Sequence, residues 1–364
     1  MSVLAPPFRA EHVGSLLRPP ALLALRRKFA RGDIDQATLT AAEDRAIEDA
    51  VLLQGRVGLL LATDGEFRRA AYHSYFYAQL GDVSFDAPPE NVGGRGAQPV
   101  ASLRSRIAWK APIHGGDFAF LAERARTLPK ITIPGPCALH FRGGDAAITA
   151  HAYRDADAFW EDIVAAFRQE LRALADAGCR YVQIDETAFA KFGDRDVQAT
   201  LRARGDDPDA LIDKYIAVTN RVIADMPALR IGMHLCRGNR GGQWHAEGSY
   251  DSVAERLFNA LNIPFYFLEY DSPRAGSFTP LRLVPRHKSV VLGLVSTKTS
   301  VMEGKDELKR RVEDATRYLD LGCLAVSPQC GFASVDTGNP ISPQVQEDKL
   351  RLVVELAMDI WGEA

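Results

Sequence analysis

The amino-acid sequence predicts an α/β protein, a single (β/α)8 TIM barrel formed by residues 1–364. Short apolar runs alternate with longer helical stretches along most of the chain, the order expected for a closed parallel sheet ringed by helices. The runs are continuously apolar, as in parallel strands covered on both faces. Polar and titratable residues follow nearly every run, where barrels of this class keep their active sites. A dinucleotide-binding sheet fits less well, because no Gly-x-Gly-x-x-Gly follows the first strand.

Eight apolar runs are the candidate strands, and the first of them is weak. They occupy residues 8–13, 58–63, 130–133, 181–184, 230–233, 265–268, 289–295 and 323–326. Helical stretches with apolar residues at helical spacing separate the later runs. The main stretches occupy residues 21–30, 155–177, 208–224, 250–261, 304–320 and 344–360.

Residues from about 72 to 128 interrupt this alternation. They are rich in aromatic residues, glycine and proline, and include the Gly-rich stretch 91–96. The composition predicts a hairpin-like insertion after the second strand. A long insertion at this place often acts as a lid, and a plain surface excursion fits equally well.

Composition excludes several classes of protein. The net charge of −3 and a pI near 6.3 argue against nucleic acid or an anionic membrane as the main partner. No apolar run reaches the roughly 18–20 residues of a membrane span, and the first nine residues lack the apolar stretch of a signal peptide. Five widely spread cysteines fit a reducing cytoplasm. The oligomeric state is left open, with a homodimer as one option.

A candidate metal site begins with His234 and Cys236, which end the fifth run. Residues two apart on a strand point to the same side, so both ligand atoms can converge. Glu269 ends the sixth run and Cys330 the eighth, on the same rim of the barrel. An imidazole, a carboxylate and two thiolates favour zinc over magnesium or calcium. His-x-Cys by itself is weak evidence, since a buried cysteine beside a satisfied histidine gives the same pattern.

Two other rim clusters suggest the substrate. Glu66, Asp185 and Glu186 supply carboxylates suited to an ammonium group, while Gly14 and Ser15 form a turn able to donate to a carboxylate. Together they outline an α-amino acid. Zinc bound by two thiolates suits the activation of an incoming thiol, so the acceptor would be an amino-acid thiol. Salt bridges from these three acids to Arg18, Arg68 or Arg69 on the rim are the competing interpretation.

The chain resembles the cobalamin-independent methionine synthase family, in particular its C-terminal catalytic barrel. The resemblance rests on His12-Val13-Gly14-Ser15, Asp64-Gly65-Glu66, Gln183-Ile184-Asp185-Glu186, His234-Leu235-Cys236, Leu268-Glu269 and Ser327-Pro328-Gln329-Cys330-Gly331. It implies zinc held by His234, Cys236, Glu269 and Cys330. It also implies that Ser15 touches the homocysteine carboxylate and that Glu66 and Asp185 hold its amine, with Asp185 also reaching a methyltetrahydrofolate donor.

The sequence departs from the long enzymes of this family in three places. The residues 139–142, Leu-His-Phe-Arg, stand where those enzymes stack the pterin on a tryptophan, and 295–298, Val-Ser-Thr-Lys, stand where they have a histidine proton donor. Glu186-Thr187 replaces the usual Glu-Pro. The stretch from His234 to Gly276 is similar to the short, single-barrel branch of the superfamily.

Three functions follow as expectations. The first is zinc-dependent methylation of homocysteine to methionine through a zinc-bound thiolate, with solvent or Lys298 protonating the leaving group. The second is alkyl transfer to another thiol, as in epoxyalkane:coenzyme M transferase. The sulfonate group of coenzyme M would need arginines such as Arg18 or Arg237. The third, a non-catalytic barrel with structural zinc, leaves the acids Glu66 and Asp185 without a role.

Overall fold

A computed structural model describes residues 7–86 and 100–364 of the chain. The strands are β1 (Leu61–Ala62), β2 (Val83–Asp86), β3 (Val100–Leu103), β4 (Leu128–Pro134), β5 (Tyr181–Asp185), β6 (Arg230–Leu235), β7 (Phe265–Glu269), β8 (Ser289–Val295) and β9 (Leu324–Pro328). The helices are α1 (Pro20–Ala30), α2 (Gln36–Val57), α3 (Ser74–Leu80), α4 (Gly115–Arg124), α5 (Ala138–Thr149), α6 (Ala156–Asp176), α7 (Ala188–Lys191), α8 (Arg195–Ala203), α9 (Pro208–Ile223), α10 (Asp251–Ala260), α11 (Lys305–Thr316) and α12 (Pro343–Trp361).

A curled parallel sheet of seven strands, in the order β1-β4-β5-β6-β7-β8-β9, forms the centre of the fold. Strand follows strand in chain order, with helices between them, so the predicted TIM-barrel-like α/β class is confirmed. Seven of the eight predicted runs are strands of this sheet. The carboxyl ends of the strands meet on one rim, which is where the predicted site residues lie.

The remaining predicted strand, the first along the chain at residues 8–13, is not a regular strand. Ala10 makes a single parallel bridge to Val326 of β9. Further along the same segment, the carbonyl of Gly14 accepts a hydrogen bond from the Thr63 hydroxyl at 2.7 Å. The segment therefore fills the gap between the last strand and the first.

A buried glutamine explains why residues 8–13 do not pair with β1 as a regular strand. The side-chain oxygen of Gln54 accepts a hydrogen bond from the backbone amide of Thr63 at 2.8 Å and lies 2.8 Å from Nε2 of His12. A side chain from α2 thus takes the place of backbone pairing between the first segment and β1. The pattern of apolar residues does not reveal that a side chain replaces backbone hydrogen bonds.

The interior of the barrel combines an aromatic cluster with a buried ion pair. Lys130 on β4 is fully buried and lies 3.3 Å from a carboxylate oxygen of Glu11. Its ammonium also lies 5.1 Å from the ring centre of Tyr181 and 4.8 Å from that of Phe267. A buried charge needs such partners to offset the cost of leaving water.

The insertion between β1 and β4 contains the predicted hairpin. Strands β2 and β3 pair antiparallel, with Val83 opposite Leu103. The Gly-rich stretch 91–96 lies outside the described residues, and the lid role of the insertion stays a prediction. Among the described helices none is both long and apolar enough to cross a membrane.

Candidate functional site

The register of two neighbouring strands brings the first site residues together. Asp185, the last residue of β5, pairs with His234 of β6. Nδ1 of the histidine lies 3.1 Å from a carboxylate oxygen of Asp185. This contact sets the orientation of the imidazole, as a carboxylate hydrogen-bonded to a metal-binding histidine does.

Three of the four predicted metal ligands form a compact cluster. The ligand atoms of His234, Cys236 and Cys330 all lie within 4.8 Å of one another, and all three residues are buried. The two sulfur atoms are 3.8 Å apart. In a tetrahedral zinc site with Zn–S bonds of about 2.3 Å, two sulfurs would lie roughly 3.8 Å apart. The donor types and their spacing therefore fit a zinc ion.

The protonation states of the cluster also fit a cation. A hydrogen bond from Cys330 holds the pKa of Cys236 well below its usual range, while the same contact and burial raise the pKa of Cys330. Burial lowers the pKa of His234, but the Cys236 thiolate and Asp185 outweigh burial and raise it to about 10. The cluster concentrates negative charge that protons neutralise, and a divalent metal ion would displace those protons.

The fourth predicted ligand, Glu269, is placed differently. It ends β7 and is fully buried, but one carboxylate oxygen lies 2.8 Å from Arg274 and 3.0 Å from Lys298. The other accepts a hydrogen bond from the Arg237 amide at 2.6 Å. Burial raises its pKa, but the charge of Lys298 followed by the two arginines outweighs burial and lowers it. Glu269 stands outside the three-residue cluster found among the described residues.

Lys298, the predicted replacement acid, is engaged in ion pairs. Its ammonium lies 3.0 Å from Glu269 and 3.4 Å from Asp271. Burial lowers the pKa of Lys298, and these two carboxylates more than reverse the effect. A lysine whose pKa is raised holds its proton tightly, which makes it a poor proton donor at neutral pH.

The predicted ammonium site lies on the wall of the same cavity as the cluster, which Glu66, Asp185 and Ser15 line together with the three ligands. One oxygen of Glu66 accepts a hydrogen bond from the Thr132 hydroxyl at 2.8 Å, and the other is buried without a partner among residues 7–86 and 100–364. Burial raises the pKa of Glu66 against the opposing charge of Arg69, and Asp185 raises it further. A cationic group of a ligand would satisfy the unpartnered oxygen.

The first segment supplies the tight turn beside these carboxylates. Gly14 has a φ of +138°, and a Cβ there would come within 2.6 Å of the Thr132 methyl group. Next to it, the Ser15 hydroxyl accepts a hydrogen bond from the Ala333 amide at 3.3 Å. Glycine at position 14 lets the chain pass close to β4 and presents Ser15 to the cavity.

The competing salt-bridge interpretation holds only in part. Arg69 lies 3.9 Å from Glu66, whereas Arg18 donates to backbone carbonyls, including those of Glu66 and Arg69. Arg237 likewise donates to the carbonyls of Gly248 and Glu269. Neither Arg18 nor Arg237 lines the cavity, so neither offers the sulfonate contact that the coenzyme M alternative would need.

A set of basic, aromatic and polar residues in the cavity wall was missed by sequence reasoning. The cavity is also lined by Tyr72, His73, Arg142, Thr187, Lys191, Asn239, Arg240 and His245. They come from the insertion and from the segments after β4, β5 and β6, with no shared motif. Two departures from the family pattern, at residues 139–142 and at Thr187, could have indicated these residues, because both departures contribute to the cavity wall.

Fold and cluster together define a class, the parallel barrels with a candidate thiolate-rich metal site at the carboxyl ends of their strands. Residues 8–358 match the family model described as "Cobalamin-independent synthase, Catalytic domain". The chain therefore belongs to the cobalamin-independent methionine synthase family and is a methyltransferase. The resemblance read from the sequence is confirmed.

Relatives of known sequence are similar over almost the whole chain. The uncharacterized Bacillus subtilis proteins YxjG and YxjH are 40% and 38% identical over 363 and 361 residues, which covers 98% of this chain and 95% of each relative. A methionine synthase of Pyrococcus abyssi is 22% identical over 353 residues, covering 97% of this chain and 94% of its own.

Two solved structures are similar in fold. A Listeria monocytogenes protein, provisionally assigned as a vitamin-B12-independent methionine synthase, is 34% identical with a TM-score of 0.77, covering 99% of this chain and 100% of its own. A B12-independent methionine synthase from Shewanella, solved with selenomethionine, is 20% identical with a TM-score of 0.73, covering 97% of each chain.

Proposed function

We propose that the protein is a zinc-dependent S-methyltransferase that methylates homocysteine to methionine, using a methyltetrahydrofolate-like or other methyl donor. The observation that carries the proposal is the buried cluster of His234, Cys236 and Cys330 in one cavity with the unpartnered oxygen of Glu66. A thiol-activating centre and a partner for an ammonium group thus face the same space. Homocysteine carries both of the groups that this arrangement would bind.

The proposed zinc ligands are His234, Cys236 and Cys330, with Glu269 as the fourth. Zinc bound there would keep a substrate thiol deprotonated at neutral pH. Glu269 would have to release its contacts with Lys298 and the Arg237 amide to reach the ion. Such a carboxylate would be a weakly held ligand, suited to exchange with an incoming thiol.

The chain's own residues would bind and orient the acceptor. Glu66 and Asp185 would hold the ammonium group, and the turn at Gly14 and Ser15 would hold the carboxylate. These contacts fix the two ends of the amino acid, so that its sulfur reaches the cluster. Positioning of this kind converts a bimolecular reaction into an effectively unimolecular one.

The transfer is a displacement at the methyl carbon. The acceptor sulfur, as a thiolate, forms the new C–S bond while the bond between the methyl group and the donor's heteroatom breaks. The electron pair of that bond stays with the donor, which then takes a proton. Since Lys298 is held by Glu269 and Asp271, we assign that proton to water.

Metal analysis and thiol titration test the proposal. The purified protein should contain about one zinc per chain, and Cys236→Ser and Cys330→Ser should lose it. Cys179→Ser is the matched control, because Cys179 is buried outside the cavity. Full zinc content in both ligand variants would refute the metal site.

Cobalt substitution then identifies the acceptor. Homocysteine should produce a sulfur-to-cobalt absorption band in the wild type and bind more weakly to Glu66→Gln. Transfer to another thiol, such as coenzyme M, is the second candidate function, which basic residues in the cavity wall favour. A band with coenzyme M and none with homocysteine would exclude methionine synthesis.

A further inference from the structure

A basic wall, consisting of His73, Arg142 and Lys191, lines the cavity and has no role in the proposed reaction. The three residues come from the insertion, from α5 and from the end of α7. They are close enough to affect one another, since burial followed by Arg142 and Lys191 holds the pKa of His73 well below its usual range. Arg142 and Lys191 supply the positive charge of this wall, His73 being held neutral, and among the described residues neither forms an ion pair with a carboxylate.

Lys191 is the most unusual member of the wall. It is 2% exposed, and its ammonium donates to the Thr187 hydroxyl at 3.4 Å. Within the described chain it makes no ion pair with a carboxylate. Burial, followed by the charge of Arg142, lowers its pKa to about 7. The more distant charges of Cys236, Glu186 and Glu269 oppose this lowering and do not reverse it. A buried cation without a directly paired carboxylate is costly, and a bound anion would offset that cost.

Arg142 and His73 each present an unpartnered atom. Nη1 of Arg142 and Nδ1 of His73 are buried and have no hydrogen-bond partner in the part of the chain that the structure describes. The other amino nitrogen of Arg142 makes only a long contact, 3.4 Å, to the Tyr72 hydroxyl. Buried polar atoms of this kind usually have a partner, so an unsatisfied pair in a cavity wall points to a ligand.

Two departures from the long enzymes of the family meet at this wall. By the resemblance described under Sequence analysis, Arg142 belongs to the stretch that stands in place of the stacking tryptophan, and Thr187, which contacts Lys191, stands in place of proline. The residues that hold the acceptor in the proposed function, Glu66, Asp185 and Ser15, are not part of this stretch. In the proposed function, this leaves the positively charged part of the cavity wall for the alkyl donor.

We propose that the basic wall of His73, Arg142 and Lys191 binds an anionic group, a carboxylate or a phosphate, of the alkyl donor. This proposal rests on the proposed function, which assigns the carboxylate of the acceptor to Gly14 and Ser15. Arginine and lysine together recognise such groups through charge-assisted hydrogen bonds. A donor bearing a positive charge, such as a sulfonium compound, would be repelled.

Equilibrium dialysis with radiolabelled inorganic phosphate tests the wall directly. The full-length, zinc-loaded protein should bind about one phosphate per chain, and Lys191→Met and Arg142→Gln should each weaken binding about tenfold or more. Arg172→Gln, an exposed change on α6, is the matched control and should bind as the wild type does. Unchanged zinc content and circular dichroism would show that the variants fold.

Two further arms locate the phosphate. Cys236→Ser, which loses the proposed metal, should keep phosphate binding; loss there would place the anion on the metal and overturn the proposal. Saturating homocysteine should leave phosphate binding unchanged. Competition between the two would assign the wall to the acceptor's carboxylate and overturn the donor assignment.

The remaining outcomes separate the two proposals. Absence of saturable phosphate binding, or binding unaffected by Lys191→Met and Arg142→Gln, overturns the basic wall as an anion site. If homocysteine fails to ligate cobalt in the wild type, the proposed function fails. Coenzyme M then replaces homocysteine in the competition arm, which still decides whether wall and acceptor are separate.

Discussion

Removing the charge of Asp185 should weaken metal binding although Asp185 is not a proposed ligand. Its carboxylate lies 3.1 Å from Nδ1 of His234 and also accepts a hydrogen bond from Gln183 at 2.8 Å. Asp185→Asn keeps the shape of the side chain and an acceptor oxygen, so the change removes mainly the charge. Loss of a carboxylate behind a metal-binding histidine typically costs 10- to 100-fold in affinity, about 1.4–2.8 kcal/mol.

Competition with a chromophoric zinc chelator measures this effect. Zinc affinity should fall by about 10- to 100-fold in Asp185→Asn. Glu66→Gln is the matched control, because Glu66 contacts Thr132 and Arg69 and no proposed ligand. The control should retain wild-type zinc affinity and lose affinity for homocysteine. An Asp185→Asn protein that holds zinc as tightly as the wild type would refute the role assigned to this contact.

Three further predictions concern the barrel interior and the turn beside it. Lys130→Met should destabilise the protein by about 3–5 kcal/mol in urea unfolding, because it leaves the Glu11 carboxylate buried without its cation. Adding Glu11→Gln should restore part of the lost stability. A double variant no more stable than Lys130→Met would contradict this account. Burial and the charge of Lys130 lower the pKa of His12 to about 3. The free energy of unfolding should therefore fall as the pH drops from about 6.5 toward 3, by at most about 5 kcal/mol from this group. His12→Asn should flatten that pH dependence in denaturation curves, and an unchanged slope would exclude His12 as its source. Gly14→Ala should lower stability and homocysteine affinity, because the new Cβ meets the Thr132 methyl group at 2.6 Å. Thr132→Ser, which removes that methyl group, should recover part of both. A Gly14→Ala protein with the stability and homocysteine affinity of the wild type would show that the turn tolerates a side chain.

Sequence patterns predicted the sheet well because parallel strands that are buried on both faces have continuous apolar sequences. They predicted a strand at 8–13 for the same reason, and there a single buried side chain, Gln54, takes over the hydrogen bonds of the ladder. Periodicity reports burial, and it carries no information about which polar group satisfies a backbone amide.

The candidate site was predictable where its residues directly follow strands. His234, Cys236 and Cys330 meet because the carboxyl ends of all strands of the curled sheet, those of β6 and β9 included, lie on one rim. The engagement of Glu269 with Lys298 was not predictable, since an ion pair between two rim residues depends on side-chain reach. The basic wall was missed for a related reason, because the segments that form it share no strand-end pattern.

Closure of the sheet through the first segment has a consequence for how the protein folds. Arg9 and Glu11 pair with Val326, and the carbonyl of Ser15 accepts a hydrogen bond from the Phe332 amide at 2.9 Å. These contacts join parts of the chain more than 300 residues apart, and contacts between distant segments are slow to form. During synthesis, the turn that faces the substrate must therefore wait for β9 to leave the ribosome. The binding half of the cavity would be among the last parts of the molecule to assemble.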